Sequence, residues 1–212
     1  MYRPAHFDIA DADELHSLLQ AAEALHLITS TSDGMDASML PMLFDPAPGE
    51  HGSLVGHLAR ANPQWRAGDG TPALAIVPGA DAYVSPSWYA TKAETGKVVP
   101  TWNYTVVHVH GHLRVHDDPE WLGALVRALT DRHEAALPRP WSVDDAPPDY
   151  IAASLRGIVG VELRIDRIEG KRKLSQNRTA ADVEGAIAGL SGREPASQRV
   201  ADDMRAASDH SD

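Results

Sequence analysis

The sequence contains no cysteine. This absence excludes disulfide bonds, thiol nucleophiles and metal sites with cysteine ligands, so the fold must be stabilised by packing. The sequence also lacks a run of about 18 apolar residues, the length needed to cross a membrane, and its first residues lack the apolar core of a signal peptide. We therefore expect a soluble, cytoplasmic protein with no membrane partner.

Positive charge is scarce, because 19 lysines and arginines stand against 30 acidic residues and give a formal net charge of -11. Proteins that bind DNA without sequence preference draw most of their affinity from lysine and arginine, so direct contact with DNA would require a local basic patch. The sequence also lacks a Gly-x-Ser-x-Gly elbow, a His-Glu-x-x-His helix and a Walker loop. No residue is therefore assigned a catalytic role.

The chain of 212 residues is 43% hydrophobic, which is enough for a substantial core. We expect one domain over residues 1–190 and a helical tail over residues 191–212. The tail is expected to form one exposed helix from Pro195 to Ala207.

The stretch from Val98 to His116 alternates apolar and polar residues more regularly than any other part of the chain. Its apolar positions include Val107, Val109, Leu113 and Val115, and its polar positions include Tyr104, His108, His110, His112, Arg114 and His116. A period of two predicts a strand with one buried face. The polar face must meet water, a ligand or a second subunit.

The remaining elements are mostly strands that adjoin other strands. We predict strands at Leu27–Ser32, Asp36–Phe44, Gly52–Leu58, Thr71–Pro78, Ala82–Ser87 and Val159–Ile165, with a turn at Asp33-Gly34. We predict helices at about residues 12–25, from Pro63, from Pro119 to about Ala136, at residues 148–156, and from Ala180 to about Leu190. This order favours an antiparallel barrel or sandwich with flanking helices, an α+β protein that is mainly β, and the last strand is expected to close the sheet.

The first candidate for chemistry is a metal site at His108, His110 and His112. Imidazole binds zinc, copper and iron, but a two-residue step along a strand is roughly 6.6–6.8 Å, so three such residues are stretched for one ion. A polar surface at a subunit interface explains the same residues and does not require three histidines to reach one ion. No metal ligand is therefore assigned.

The second candidate is a phosphate site formed by His57, Arg60 and Asn62, where a strand ends and a helical turn begins at Pro63. Amides at a helix N-terminus and a guanidinium together suit a phosphate. The alternative is a surface salt bridge for Arg60 and a plain helix cap for Asn62. The spacing does not decide between the two.

The third candidate is the basic run from Lys171 to Arg178, which follows the last predicted strand. It is either a solvated loop or a second element that contacts a ligand or DNA.

A fourth candidate is a group of aromatic residues that lie beside polar motifs: Trp65, Trp88, Tyr89, Trp102 and Tyr104. They could stack on a planar heterocycle, although core packing explains most such residues.

Several of these segments carry a resemblance to a known family. They are Met1–Phe7, Leu40-Pro41, Gly56–Trp65, Tyr83–Tyr89, Val99–Tyr104 with His108 and Gly111, and Gly170–Asn177. In these segments, which together span nearly residues 1–190, the chain resembles the PaiB-type family of FMN-binding negative transcriptional regulators within the FMN-binding split β-barrel superfamily.

The resemblance implies an antiparallel Greek-key split barrel that forms a homodimer with FMN at the subunit interface. The cofactor-binding residues that it implies are Ser30, Leu40, His57, Arg60, Asn62, Thr101, Trp102, Asn103, Lys171, Lys173, Ser175 and Gln176. By analogy with related barrels, Ser30 and Leu40 would lie near the flavin ring, and the segment from Lys171 to Gln176 near the phosphate or ribityl chain. His110, His112 and His116 lie outside the family pattern and carry no assigned role.

The resemblance favours an FMN-binding negative transcriptional regulator. One alternative is a flavin-dependent oxidoreductase that acts on a small substrate, since related barrels use the same cofactor for redox chemistry. Another is a haem- or metal-binding protein that uses the histidine-rich strand. The sequence identifies neither a substrate nor an operator.

Overall fold

The computed structural model describes residues 1–32 and 34–209. The predicted turn at Asp33-Gly34 therefore lies partly outside the described residues, as do the last three residues of the predicted tail. Among the described residues, no helix is both long enough and apolar enough to span a bilayer.

The described residues form eight strands and six α-helices. The strands are β1 (Asp8–Ile9), β2 (Leu25–Thr31), β3 (Gly34–Leu40), β4 (Met42–Asp45), β5 (Ser53–Ala59), β6 (Pro72–Val84), β7 (Thr101–His116) and β8 (Ile158–Lys173). The helices are α1 (Ala12–Ala21), α2 (Ala90–Thr95), α3 (Pro119–Glu134), α4 (Pro148–Leu155), α5 (Ala180–Leu190) and α6 (Pro195–Asp209).

The strands form one antiparallel sheet, in the order β3-β2-β6-β7-β8-β5-β4, with β1 paired to β8. This confirms the predicted fold class, a mainly β protein with flanking helices. The expectation that β8 closes the sheet is wrong, because the order of the described strands begins with β3 and ends with β4. β8 is instead an inner strand, with β7 and β5 as its neighbours.

Several predicted boundaries also change. The two short strands predicted between Thr71 and Ser87 form one strand, β6. The strand continues through Gly79 because glycine has no side chain to clash with Thr105: a Cβ added at Gly79 would lie 2.9 Å from Cβ of Thr105. Helix α1 ends at Ala21, four residues early, because Leu25 begins β2 with its side chain buried. Strand β8 continues to Lys173, so the basic run begins in a strand and not in a loop.

The chain divides into two compact units. Unit 1 comprises Met1–Asp11, Pro78–Val107 and Glu169–Asp212, and unit 2 comprises Ala12–Val77 and His108–Ile168. Strands β6, β7 and β8 contribute residues to both. The predicted domain boundary near residue 190 stays a prediction.

Unit 2 contains the β2–β3 hairpin, in which Leu25 pairs with Leu40 and Thr31 with Gly34. It also contains α3, which begins where Asp118 accepts hydrogen bonds from two amides of the first turn, at 3.3 and 3.0 Å. Proline at the first helical position and this cap explain why the helix starts there. The buried stripe of α3 consists of Leu122, Leu125 and Leu129, which follow the helical period.

Unit 1 is built around the packing of α5 on α6. Helix α5 begins at its predicted cap, where Thr179 accepts a hydrogen bond from the amide of Asp182 at 3.3 Å. The predicted tail helix is confirmed, but the expectation that it is exposed is wrong, because Val200 and Met204 are buried against Leu190. Their spacing of four residues places both on one face of the helix.

Candidate functional site

A cluster of positive charges forms where β8 ends in unit 1. Lys171 is 8% exposed, and its ammonium lies 5.5 Å from the ring centre of Tyr2 and 5.2 Å from that of Tyr104. The negative faces of the two rings stabilise its charge through cation–π contacts. The structure thus holds a charged amine at a fixed position with aromatic rings as its neighbours.

Lys173 is the second member of this cluster. Its ammonium donates hydrogen bonds of 2.6 Å to Oγ1 of Thr101 and of 2.6 Å to the carbonyl oxygen of Trp102. Burial, with smaller contributions from the charges of Lys171 and Arg178, lowers the pKa of Lys173 below its usual value. Since both neighbouring charges that act on Lys173 are positive, an anion placed among the three would be stabilised by all of them.

The segment after β8 is fixed by a buried polar contact. The side-chain amide of Asn103 donates to Oγ of Ser175 at 3.0 Å and lies 3.4 Å from the sulfur of Met204. Ser175 adopts φ of 69°, a left-handed conformation that is uncommon for a residue with a side chain. Because sparsely populated conformations persist only where the surroundings enforce them, the contact with Asn103 explains this one.

Gln176 closes the same turn. Its side chain accepts a hydrogen bond from the amide of Leu174 at 2.7 Å and donates one to the carbonyl of Arg172 at 2.7 Å. The side chains of Asn103, Ser175 and Gln176 therefore shape the turn after Lys173, and the positive charges near this turn belong to Lys171, Lys173 and Arg178. We refer to Lys171, Lys173 and Arg178 as the lysine cluster.

Trp102 contacts Lys173 of the lysine cluster and also the ring of Tyr83. We refer to the exposed rings of Tyr83 and Trp102 as the exposed aromatic surface. The carbonyl of Trp102 accepts from Lys173, while its indole N–H donates to Asp81 at 3.1 Å. The indole ring lies 6.2 Å from the ring of Tyr83, in an edge-to-face arrangement. Large aromatic side chains in this arrangement can bind the flat or cationic parts of a ligand.

In unit 2, Arg60 is engaged by the protein itself. Its guanidinium forms a two-point ion pair with Asp117 and donates to the carbonyls of Arg156, at 2.7 Å, and Ile158, at 2.9 Å. The hydrogen bonds of the pair raise the pKa of Arg60 and lower that of Asp117. This arrangement matches the salt bridge that the sequence left as the alternative to a phosphate site.

Asn62 also has a structural role in unit 2. Its side-chain oxygen accepts from the amide of Gln64 at 2.9 Å, which caps the turn that starts at Pro63, and its nitrogen donates to Ser38 at 2.9 Å. Gln64 is buried and donates to the carbonyls of Leu27 and Asp36 at 2.9 and 3.3 Å. Together these contacts attach the turn to the β2–β3 hairpin.

His57 lies beside a cleft in unit 2. Burial lowers the pKa of His57, and its Nδ1 has no hydrogen-bond partner within the described part of the chain. The cleft measures about 300 Å³ and is also lined by Val126, Leu129 and Trp141. Thr130, His133 and Glu134 also line it, so the cleft has both apolar and polar walls.

Two other predicted cofactor residues lie at opposite ends of the β2–β3 hairpin. Ser30 is exposed and pairs with Met35 beside the turn, whereas Leu40 is buried and pairs with Leu25 at the other end. A strand rises about 3.4 Å per residue, so register positions five pairs apart are separated by roughly 17 Å.

The histidines of β7 in unit 2 have different surroundings. His112 pairs with Asp166 at 2.8 Å, and His116 stacks on Trp121 and pairs with Glu162 at 2.8 Å. The rings of His108 and His110 are 6.3 Å apart. The alternation predicted for β7 is confirmed, since Val107, Val109 and Leu113 are all buried.

Sequence reasoning missed three residues of unit 1 that lie beside the candidate residues: Tyr2 near Lys171, Tyr83 near Trp102 and Arg193 near Trp88. Tyr2 and Tyr83 belong to segments that carry the family resemblance, and this was the signal that could have identified them. Arg193 stands alone in the tail and gives no such signal, because only the packing of α5 and α6 brings it to Trp88.

Comparison with solved structures identifies the fold. The fold resembles that of the FAD and haem binding protein from Mycobacterium smegmatis, with a TM-score of 0.54 and 19% identity over 86% of this chain and 80% of that one. It also resembles the flavocytochrome Anf3 from Azotobacter vinelandii, with a TM-score of 0.56 and 14% identity over 82% of this chain and 72% of that one. The antiparallel sheet with flanking helices is thus the fold of flavin-binding split-barrel proteins.

Sequence comparison defines the family. Residues 1–167 match the family described as "Putative FMN-binding domain", and the chain belongs to this family. The chain is 31% identical to the protease synthase and sporulation protein PAI 2 of Bacillus subtilis over 96% of each chain, which confirms the PaiB-type resemblance. Lys171 and Lys173 lie beyond the residues that match the family but within the length shared with this relative.

Proposed function

We propose that this protein binds FMN and that Lys171 and Lys173 hold its phosphate. The chain's membership of an FMN-binding family supports the choice of cofactor. The observation that carries the assignment of the phosphate is the position of Lys173, whose half-buried ammonium lies near the positive charges of Lys171 and Arg178, so that its pKa is lowered. A phosphate dianion would offset the repulsion within the lysine cluster.

The surroundings of the cluster support the same proposal. The ammonium of Lys171 lies close to two tyrosine rings, and the guanidinium of Arg178 lies 4.7 Å from the ring centre of Tyr89. The charge of Arg178 also acts on the carboxylate of Asp182. The repulsion that a ligand anion would offset is therefore chiefly that between Lys171 and Lys173. The chemistry that FMN supplies when bound is one- and two-electron transfer through its ring.

The test compares FMN with riboflavin, which lacks the phosphate. In Lys173→Met, we expect the affinity for FMN to fall by about tenfold, the loss typical of one charge-assisted contact, while the affinity for riboflavin stays unchanged. Quenching of flavin fluorescence measures both affinities. The matched control is Lys97→Met, because Lys97 is an exposed lysine of the same unit.

Two outcomes would contradict the proposal. An unchanged affinity of Lys173→Met for FMN would remove the lysine cluster from the phosphate site. An equal loss for FMN and riboflavin, with an unaltered melting temperature, would show that Lys173 acts on another part of the flavin.

We further propose that the protein is a negative transcriptional regulator that works as a homodimer in the cytoplasm. Support comes from the relative in Bacillus subtilis, whose name links it to protease synthesis and sporulation. Light scattering of a dimer would give twice the chain mass of 22.8 kDa. The net charge of -11 weighs against tight non-specific attraction to DNA, so retention of a promoter fragment should depend on its sequence.

The alternative of a flavin-dependent oxidoreductase makes a different prediction. The FMN-loaded protein would then oxidise a reduced nicotinamide cofactor, with transfer of a hydride to FMN, at a rate above that of free FMN. Turnover of this kind, together with no sequence-dependent retention of DNA, would favour the enzyme over the regulator.

A further inference from the structure

A pocket of about 510 Å³ lies in unit 1 between the exposed aromatic surface and the start of α6. Its walls include Tyr83, Trp88 and Trp102, together with Asp81, Arg193 and Glu194. We propose that this pocket binds a small organic cation of the alkylammonium class. The proposal goes beyond flavin binding, since it concerns a different set of side chains from the lysine cluster.

The aromatic residues supply the first part of the argument. Tyr83 and Trp102 are each 49% exposed, although large aromatic side chains are usually buried, and their rings meet edge to face at 6.2 Å. Trp88 already has a cation beside it, because the guanidinium of Arg193 lies 5.6 Å from its ring centre. Rings arranged around a space bind alkylammonium groups through the negative charge of their faces.

The charges supply the second part. Arg193 also lies 3.8 Å from the carboxylate of Glu194, so these two opposite charges largely offset one another. Asp81 accepts a hydrogen bond from the neutral indole of Trp102 at 3.1 Å, and this contact orients the carboxylate without neutralising it. The pocket therefore has one more negative than positive charge among its lining residues.

The negative net charge of the lining residues determines which class of ligand fits the pocket. An anionic ligand would meet Asp81 and Glu194, and burying like charges together is costly. A neutral apolar ligand would leave the carboxylate of Asp81 without compensation. A cation with methyl or methylene groups satisfies both the carboxylate and the ring faces.

The test uses choline as the probe and its uncharged carbon analogue, 3,3-dimethylbutan-1-ol, as the matched ligand. The protein has five tryptophans, and the indole N–H signal of Trp102 can be assigned in proton–nitrogen NMR spectra as the one that is lost in Trp102→Phe. We expect choline to shift this signal and to bind about tenfold more tightly than the carbon analogue. This comparison needs no variant in the binding experiment itself.

The variant Asp81→Asn removes the negative charge and keeps an oxygen that can accept from Trp102. We expect it to weaken choline binding about tenfold, whereas Glu94→Gln, at an exposed position of α2, should leave the affinity unchanged. Tyr83→Leu should weaken choline binding by about threefold or more, because one ring face is lost.

The proposal is overturned if choline moves the Trp102 signal no more than sodium chloride of equal ionic strength does. It is also overturned if choline and its carbon analogue bind equally well, or if FMN displaces choline by direct competition, which would make the pocket part of the flavin site. Choline binding that persists in a protein unable to bind FMN would support this inference and contradict the proposed function alone.

Discussion

Nη1 of Arg60 lies 2.9 Å from Oδ2 of Asp117, and Nη2 donates to the other carboxylate oxygen. The same guanidinium donates to the carbonyls of Arg156, just before β8, and of Ile158, the first residue of β8. One side chain thereby joins the end of β5, the segment after β7 and the start of β8 within unit 2. Planar guanidinium geometry allows these bonds together, and a lysine could not replace them.

The first prediction concerns Arg60→Ala. We expect the melting temperature to fall by a few degrees, because the carbonyls of Arg156 and Ile158 lose their donor. We expect the affinity for FMN to change less than in Lys173→Met. Thermal denaturation and flavin titration measure the two effects, with Arg139→Ala as the control, since Arg139 is exposed. A loss of FMN affinity as large as that of Lys173→Met would instead support Arg60 as a phosphate ligand.

The second prediction concerns the protonation of His57. Burial lowers its pKa from the ordinary value of 6.5, so the unfolded chain takes up the proton at a higher pH than the folded protein. His57 should therefore cost the protein stability as the pH falls below about 6.5, and the cost should stop growing once the pH is below the folded pKa.

His57→Gln tests this prediction. Urea denaturation of both proteins between about pH 8 and pH 5 should show that the wild type loses more stability than the variant as the pH falls. The pairs of His112 with Asp166 and of His116 with Glu162 are present in both proteins, so their contributions cancel in the comparison. Parallel pH profiles would contradict the buried, neutral state of His57.

The third prediction contrasts two glycines of unit 2. A Cβ at Gly111 would overlap the carbonyl of Arg164 and lie 3.2 Å from Cα of Ile165 in β8. We expect Gly111→Ala to lower the free energy of unfolding by about 1–3 kcal/mol or more, because backbone atoms must move apart.

Gly123 in α3 is the matched control for this contrast. The nearest atom to its added Cβ is Cδ1 of Leu155 at 3.9 Å, an ordinary contact. Gly123→Ala should raise the free energy of unfolding by about 0.5–1 kcal/mol, the difference in helix propensity between the two residues. Urea denaturation measures both variants, and equal effects would show that the close approach at Gly111 is not the cause.

Local patterns in the sequence predicted much of the fold. The alternation in β7, the caps at Asn62, Asp118 and Thr179, and the strand β5 are all confirmed, because each depends on residues close together in the chain. The boundaries that failed depend on distant contacts. Gly79 reads as a turn residue by itself, and only the approach of Thr105 explains why β6 continues through it.

In the candidate site, too, the sequence predicted the features that depend on neighbouring residues but not those that depend on distant contacts. The basic run was identified from its composition, and the aromatic residues beside polar motifs were identified as candidates for ligand binding. The sequence could not show that Lys171 lies close to the rings of Tyr2 and Tyr104, because these residues precede it by 169 and 67 positions and meet it only through strand pairing and packing.

The sequence by itself determined the mainly β fold class, the positions of most helix caps and the family, since periodicity, capping residues and long motifs are properties of neighbouring residues. Only the tertiary structure decided how individual polar side chains are used. It paired Arg60 with Asp117, left Nδ1 of His57 without a partner in the described chain and grouped Lys171, Lys173 and Arg178. The reason is physical: a charge is neutralised, buried or left for a ligand according to which groups the fold brings within a few ångströms of it.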